Sequence, residues 1–203
     1  MKEQIENQKR KSNKGRNLTA DYIPYQVAME RGQTLLMDPK KTRIGFLIIL
    51  GVNVGLRISD LLSRKHSDFI GLNPGDSIRV LERKSQKWRI VTLNRKVIDA
   101  YRILLTMIGQ PDPEEEIFRS QKQTTYHIAS INEILKTEFR GVAPQISSHS
   151  LRKSFGRHVY ELNGRNEDAL VYLSEIFNHK SQAVTRRYLG IRQEEIGNIY
   201  LNL

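Results

Sequence analysis

Residues 44–52 form an unbroken apolar run, Ile44-Gly45-Phe46-Leu47-Ile48-Ile49-Leu50-Gly51-Val52, and nothing polar interrupts it before Asn53. The run falls well short of the roughly 18 residues that a membrane span requires. It predicts a buried helix over residues 40–54, and the remainder of the chain must supply the surfaces that cover it.

Those surfaces are written in helical periods. A helix is predicted over residues 25–37, ended by Asp38-Pro39, with a shorter one after Gly55 whose start lies close to Arg57. Asn94 reads as the N-cap of a helix on which Val97, Ile98, Tyr101, Leu104, Leu105 and Ile108 make one stripe. Another helix carries Ile128, Ile131, Ile134, Leu135 and Phe139, and three more follow Pro144, over about residues 149–163, 168–177 and 182–187. Tyr160 and Tyr172 fall on apolar stripes of these last helices and read as core residues. Asn73-Pro74-Gly75-Asp76 is a turn, after which residues 77–81 and 88–93 flank the polar Arg83-Lys84-Ser85-Gln86 as a β-hairpin. The fold class is therefore α+β, mainly helical, with a small antiparallel hairpin or three-stranded sheet on one edge. At 203 residues the chain has length for one good-sized core, or a domain with a small appendage.

Composition narrows the chemistry. There is no cysteine, which removes a disulfide framework, a Cys-based zinc site and a thiol nucleophile together. The five histidines (His66, His127, His149, His158, His179) show no metal-ligand spacing, the acids do not cluster in a nuclease pattern, and no Gly-rich phosphate-cradling loop is present. Lys and Arg number 33 against 22 Asp and Glu, a net charge of +11, which favours a polyanionic partner, nucleic acid first. Residues 1–18 hold six basic side chains against Glu3 and Glu6 and read as a mobile basic arm able to contact phosphates. With neither a spanning segment nor a secretory signal in the pattern, no membrane partner is expected and a cytoplasmic location is the default.

Arginine, lysine, histidine and tyrosine recur at separate places: Arg57 at a helix start, Lys84 on a hairpin tip, His149 and Arg152 at (i, i+3), His179, and Tyr188 nine residues later. Together they suit one task. Two guanidiniums can clamp the non-bridging oxygens of a phosphodiester and neutralise charge in a pentavalent transition state, and a tyrosine hydroxyl can be the nucleophile. The spacing of His149 and Arg152 puts both on one helical face, with Leu151 turned to the core. Tyrosine ionises near pH 10 and needs cationic neighbours or a base to attack at neutral pH, which this set supplies. A lysine in a cationic site also gives up its proton more readily, as a general acid must.

The strings Gly55-Leu56-Arg57-Ile58-Ser59-Asp60, Arg83-Lys84-Ser85-Gln86-Lys87, His149-Ser150-Leu151-Arg152 and Phe177-Asn178-His179, with Tyr188 after them, resemble the catalytic boxes of the tyrosine recombinases, the phage integrase family. The resemblance covers about residues 19–192 and leaves residues 193–203 as a short amphipathic tail. It implies site-specific strand cleavage and rejoining, with Tyr188 attacking the scissile phosphate to give a 3′-phosphotyrosine and Lys84 protonating the 5′-oxygen. Arg57 and Arg152 would hold the phosphate, His149 would assist proton transfer, and His179 would donate a hydrogen bond. It further implies no metal or nucleotide cofactor, double-stranded DNA as partner, a homo-oligomer (a tetramer) on DNA, and accessory DNA-bending proteins. Arg83, Lys87, Arg186 and Arg187 are assigned to the DNA backbone, and Asp60 to a carboxylate that orients the site.

One box departs from the usual Leu-Gly-His: Asn178 stands where the glycine would, and asparagine tolerates the left-handed turn required there. The helical core-binding domain that many integrases carry upstream is not represented, as expected of either a minimal recombinase, like the short fimbrial-switch inversion enzymes, or a fragment. Two alternatives use the same residues, a topoisomerase-like relaxation of supercoils and a non-catalytic DNA-binding regulator.

Overall fold

Two helices open the computed structural model, which describes residues 19–120 and 122–203; the basic arm read over residues 1–18 lies outside the described residues. They are α1 (Tyr25–Leu36) and α2 (Thr42–Val54). The second is the helix demanded by the apolar run: Phe46, Leu47, Ile48 and Leu50 have no exposed surface. It begins two residues later than the pattern predicts, because Asp38 accepts from the amides of Lys40 and Lys41 and holds them in a turn. Gly45 lets the two helices meet backbone to backbone, since a Cβ there would lie 2.2 Å from the Leu36 nitrogen. At the far end Gly55, with φ of 60°, closes α2 in the left-handed conformation, where a side chain would also strike the Phe155 ring.

The chain continues through α3 (Ile58–Leu62), a 3₁₀ turn (His66–Asp68) and the hairpin β1 (Ser77–Leu81) and β2 (Trp88–Thr92). The strands pair antiparallel, with Ile78 opposite Val91 and Leu81 opposite Trp88. Ile78, Val80 and Val91 face the core, while Trp88 and Ile90 are exposed. The expectation left open a hairpin or a three-stranded sheet; among the described residues it is the two-stranded hairpin that forms. Helix α4 (Arg95–Ile108) starts where Asn94 Oδ1 accepts from Val97 N at 3.1 Å and buries Val97, Ile98, Tyr101 and Leu104. Helix α5 (Ile128–Glu138) packs through Ile131 and Leu135.

Four helices complete the described chain, α6 (Ser148–Leu162), α7 (Glu167–Phe177), α8 (Gln182–Leu189) and α9 (Ile191–Leu201). The apolar interior falls into two clusters. A large one is built on α2, α4 and the inner face of the hairpin, and a small one gathers Tyr160, Leu170, Leu173, Phe177, Leu189 and Ile191. Helix α6 belongs to both, giving Leu151 to the first and Tyr160 to the second. The seam between the clusters runs along it.

Tyr172 is not a core residue, being 61% exposed. The buried face of α7 is set by Ala169, Leu170, Leu173 and Phe177, and Tyr172 lies about a third of a turn away from that line. The tail is helical, yet Ile199, Tyr200, Leu201 and Leu203 are exposed and only Ile191 of α9 is buried. Among the described residues no helix is long and apolar enough to cross a membrane.

Candidate active site

Helices leave their last carbonyls without partners, and these carry the negative end of the helix dipole. Two such ends meet at the seam. The C-terminal turn of α2 presents the carbonyls of Val54 and Gly55, and that of α7 presents the carbonyl of Phe177. Arg152 spans them, donating from Nη1 to Gly55 O at 2.7 Å and from Nη2 to Phe177 O at 3.1 Å, with its guanidinium 4.5 Å above the Phe177 ring. Arg57, the N-cap residue of α3, reaches the same Phe177 carbonyl at 3.5 Å, and Arg89 of β2 donates to Val54 O at 2.8 Å. Burial lowers Arg152 to about 10, helped by the nearby Arg57 and Arg89, so it stays charged at neutral pH.

The left-handed turn after α7 carries the next group. Asn178 adopts φ 52° and ψ 48°, as its place in the Phe-Asn-His string predicts, and turns the chain so that His179 faces the seam. His179 Nδ1 lies 3.0 Å from Thr185 Oγ1. Burial, with Arg152 and Arg57 beside it, drops the imidazole to about 4, so the ring is neutral at physiological pH. His149 sits in the first turn of α6, whose N-cap Ser147 accepts from its amide at 3.2 Å. Its basicity is lowered first by burial, then by the charges of Arg152, Lys153, Lys84 and Arg57. The (i, i+3) spacing does turn Leu151 inward, but Arg152 is buried as well, held down by the two helix-end carbonyls.

Tyr188 stands in the last turn of α8, its ring edge-on to His179 (centroids 5.2 Å apart) and Phe177 (5.5 Å), with Lys153 Nζ 5.3 Å from its centre. Its Oη is buried without a hydrogen-bond partner among the described residues. Burial pushes the phenol up to about 12, against the pull of Arg152 and Arg57. This corrects the expectation that the cationic cluster alone readies the tyrosine for attack. In the protein without DNA, desolvation outweighs the charges.

Lys84 lies on the exposed tip of the hairpin and makes no hydrogen bond or ion pair among the described residues. The turn beneath it is fixed by Glu82, whose amide donates to Lys87 O at 3.0 Å and whose carbonyl accepts from Gln86 N at 2.8 Å. The Glu82 carboxylate turns inward, 2.8 Å from Arg57 Nη1. Asp60 is wholly buried and accepts from the Arg83 amide at 3.0 Å, so it grips the same turn from the helix side.

Arg83 and Lys87 are exposed on that tip, and Arg187 lines a groove of about 840 Å³ with Lys153, Arg192 and Tyr188. Arg186 is occupied differently, by ion pairs to Glu195 at 2.6 Å and to Glu167. Those carboxylates compete with any phosphate for its guanidinium. Sequence reasoning did not find Glu82, Arg89, Lys153 or Thr185; their signal is spatial, since each acts on a group from another element. Among the described residues no group of three or more His, Asp or Glu is placed to hold a metal ion.

The family model described as "Phage integrase family" matches residues 25–195. The chain is 33% identical over 159 residues to the probable integrase/recombinase YoeC of Bacillus subtilis, covering 76% of this chain and 81% of that one. It is 28% identical over 150 residues to the tyrosine recombinase XerC of Nitrobacter winogradskyi, covering 72% of this chain and 45% of that one. The chain thus spans about half the length of the XerC relatives it matches. Among solved structures, XerA recombinase superposes with a TM-score of 0.64 at 18% identity, over 91% of this chain and 65% of that one. XerH bound to palindromic difH substrate, a post-cleavage complex, superposes at 0.65 and 22%, over 91% and 54%. These likenesses show a shared fold.

Proposed function

We propose that this chain, which belongs to the phage integrase family, is a site-specific DNA recombinase that cuts and rejoins strands through a 3′-phosphotyrosine on Tyr188. The observation that carries the reading is the convergence of Arg57, Arg152, His179 and Tyr188 on two helix ends, from positions up to 131 residues apart in numbering (188 − 57). A phosphodiester lying against the two guanidiniums would neutralise them and receive the nucleophile from the Tyr188 side.

In the reaction, Tyr188 Oη forms a bond to phosphorus as the bond to the 5′-oxygen breaks. Lys84 gives its proton to that oxygen, and the phenolic proton leaves toward His149. A neutral His179 has one N–H; with Nδ1 facing Thr185, the tautomer protonated at Nε2 leaves a donor for a phosphate oxygen. Arg83, Lys87 and Arg187 contact the DNA backbone, while Arg186 joins them only by exchanging its two carboxylates. Residues 19–192 form the catalytic domain. The protein works on double-stranded DNA in the cytoplasm as a homo-oligomer, a tetramer on its site, with accessory DNA-bending proteins as further partners.

The tail supports the assembly. Its apolar residues Ile199, Tyr200 and Leu203 do not dock on their own domain, while Arg157 holds its first turn through Glu194 at 2.6 Å. A helix this short is marginal alone and gains stability by packing against another surface, here a neighbouring protomer. Deleting residues 194–203 is expected to abolish higher-order complexes on DNA in analytical ultracentrifugation while sparing monomer binding. Unchanged assembly would confine the tail to its own chain.

The activity is tested with nicked duplexes tiled from the DNA flanking the coding gene. A nick a few nucleotides beyond the scissile phosphate lets the short strand leave and strands the enzyme on DNA. A covalent adduct on a denaturing gel, formed with some duplexes and not with others, is the expected result. Non-covalent binding alone would leave a DNA-binding regulator.

A further inference from the structure

Glu82 is the one acid between Asp76 and Asp99, in a hairpin that also holds Arg79, Arg83, Lys84, Lys87 and Arg89. An exposed hairpin tip gives a carboxylate every reason to face water. Glu82 is instead 3% exposed. Its Oε2 accepts twice, from Arg57 Nη1 at 2.8 Å and from Ser85 Oγ at 2.8 Å, and its Oε1 is buried 3.8 Å from Arg89 Nη1. Burial alone would raise the carboxyl; the hydrogen bonds of Ser85 and Arg57, with the charges of Arg57 and Arg152, overturn that and hold it below the ordinary carboxylate range, so it stays ionised.

Three links therefore join at one residue. The backbone of Glu82 closes the turn through Lys87 and Gln86, its side chain grips Ser85, the residue next to Lys84, and the same oxygen holds the guanidinium of Arg57. We propose that Glu82 is a positioning residue for the recombinase reaction, tying the Lys84 turn to Arg57 so that proton donor and phosphate clamp are set in one frame. The inference rests on the strand-cleavage reading and adds to it a residue that touches neither DNA nor nucleophile. A flexible lysine on a free tip would sample many positions, and small misplacement of a general acid is enough to slow a reaction on the order of tenfold to a hundredfold.

The test separates placement of Lys84 from every other effect of Glu82. Single-turnover cleavage is measured on the captured duplex with its ordinary phosphate and with sulfur at the 5′-bridging position, a leaving group that needs no proton. Glu82→Gln is expected to slow the ordinary substrate about tenfold or more, and to come within about threefold of wild type on the sulfur substrate, as Lys84→Ala does. The double variant should be no slower than Lys84→Ala alone. Equal slowing on both substrates would mean that Glu82 acts through Arg57 or the fold, and would overturn the proposal, as would additive effects in the double variant. Ser85→Ala cuts the link to the turn while leaving the buried ion pair, and decides the matter should Glu82→Gln not fold: slowing confined to the ordinary phosphate supports the proposal, and wild-type rates on both overturn it. Absence of any wild-type cleavage would overturn the strand-cleavage reading itself, whereas wild-type cleavage with an unrescued Glu82→Gln overturns this inference alone.

Discussion

Replacing Tyr188 by phenylalanine is expected to abolish strand cleavage, by about ten-thousandfold or more, while leaving DNA affinity near wild type, because the oxygen removed is the proposed nucleophile and little else changes. The variant also carries a less usual expectation for stability. Tyr188 Oη is buried and has no hydrogen-bond partner among the described residues, and an unsatisfied buried hydroxyl costs on the order of 1 kcal/mol or more. The phenylalanine protein should therefore melt no lower than wild type, and by this reasoning somewhat higher. Inactive yet equally or more stable protein would mark the hydroxyl as kept for chemistry. A variant that still forms the adduct would move the nucleophile elsewhere; Tyr172, which the structure leaves exposed, would then be the first tyrosine to examine.

Arginine loss should separate the two halves of the clamp. Arg57→Ala and Arg152→Ala are each expected to slow cleavage about a hundredfold or more at saturating DNA, as removal of a charge that stabilises a phosphoryl transition state does. Their effects on folding should differ. Arg152 holds the end carbonyls of two helices inside the protein, so its removal leaves them only the long 3.5 Å contacts of Arg57 and Arg89 and should lower the melting temperature clearly. Arg57 is more open and shares its main partner, Glu82, with Ser85, so its removal should disturb folding less. Single-turnover rates, DNA affinity and thermal melts on the same preparations check this. Equal losses of affinity and rate in either variant would reduce that arginine to a DNA contact.

What the sequence made legible was local. The helix start at Asn94, the glycine at Gly55 between two helices and the hairpin turn depend on residues a few positions apart, and their elements form close to where the periodicity puts them. The site residues were found for the same reason: each lies in a short string with its own spacing. The bonds that bring the strings together lie beyond such patterns. Arg152 meets Gly55 across 97 positions, and nothing near either residue announces the contact. Glu82 drew no attention in the sequence, because its bond to Arg57 joins residues 25 positions apart on separate elements. The phenol of Tyr188 was misjudged in the opposite direction: counting cations around it predicts an easier ionisation, but the ring also packs against Phe177 and His179, and the resulting desolvation wins. Tyr172 shows the limit of the stripe itself, since a helix with one buried line leaves the residues beside that line outside.

The central claim is a bond between Tyr188 and DNA. Wild-type protein trapped on the captured nicked duplex, digested with protease and nuclease and read by tandem mass spectrometry, should yield one modified peptide, with a 3′-linked nucleotide phosphate on Tyr188, and the released strand should begin with a 5′-hydroxyl. A linkage on any other residue, or strands released with a 5′-phosphate and no peptide attached, would contradict it.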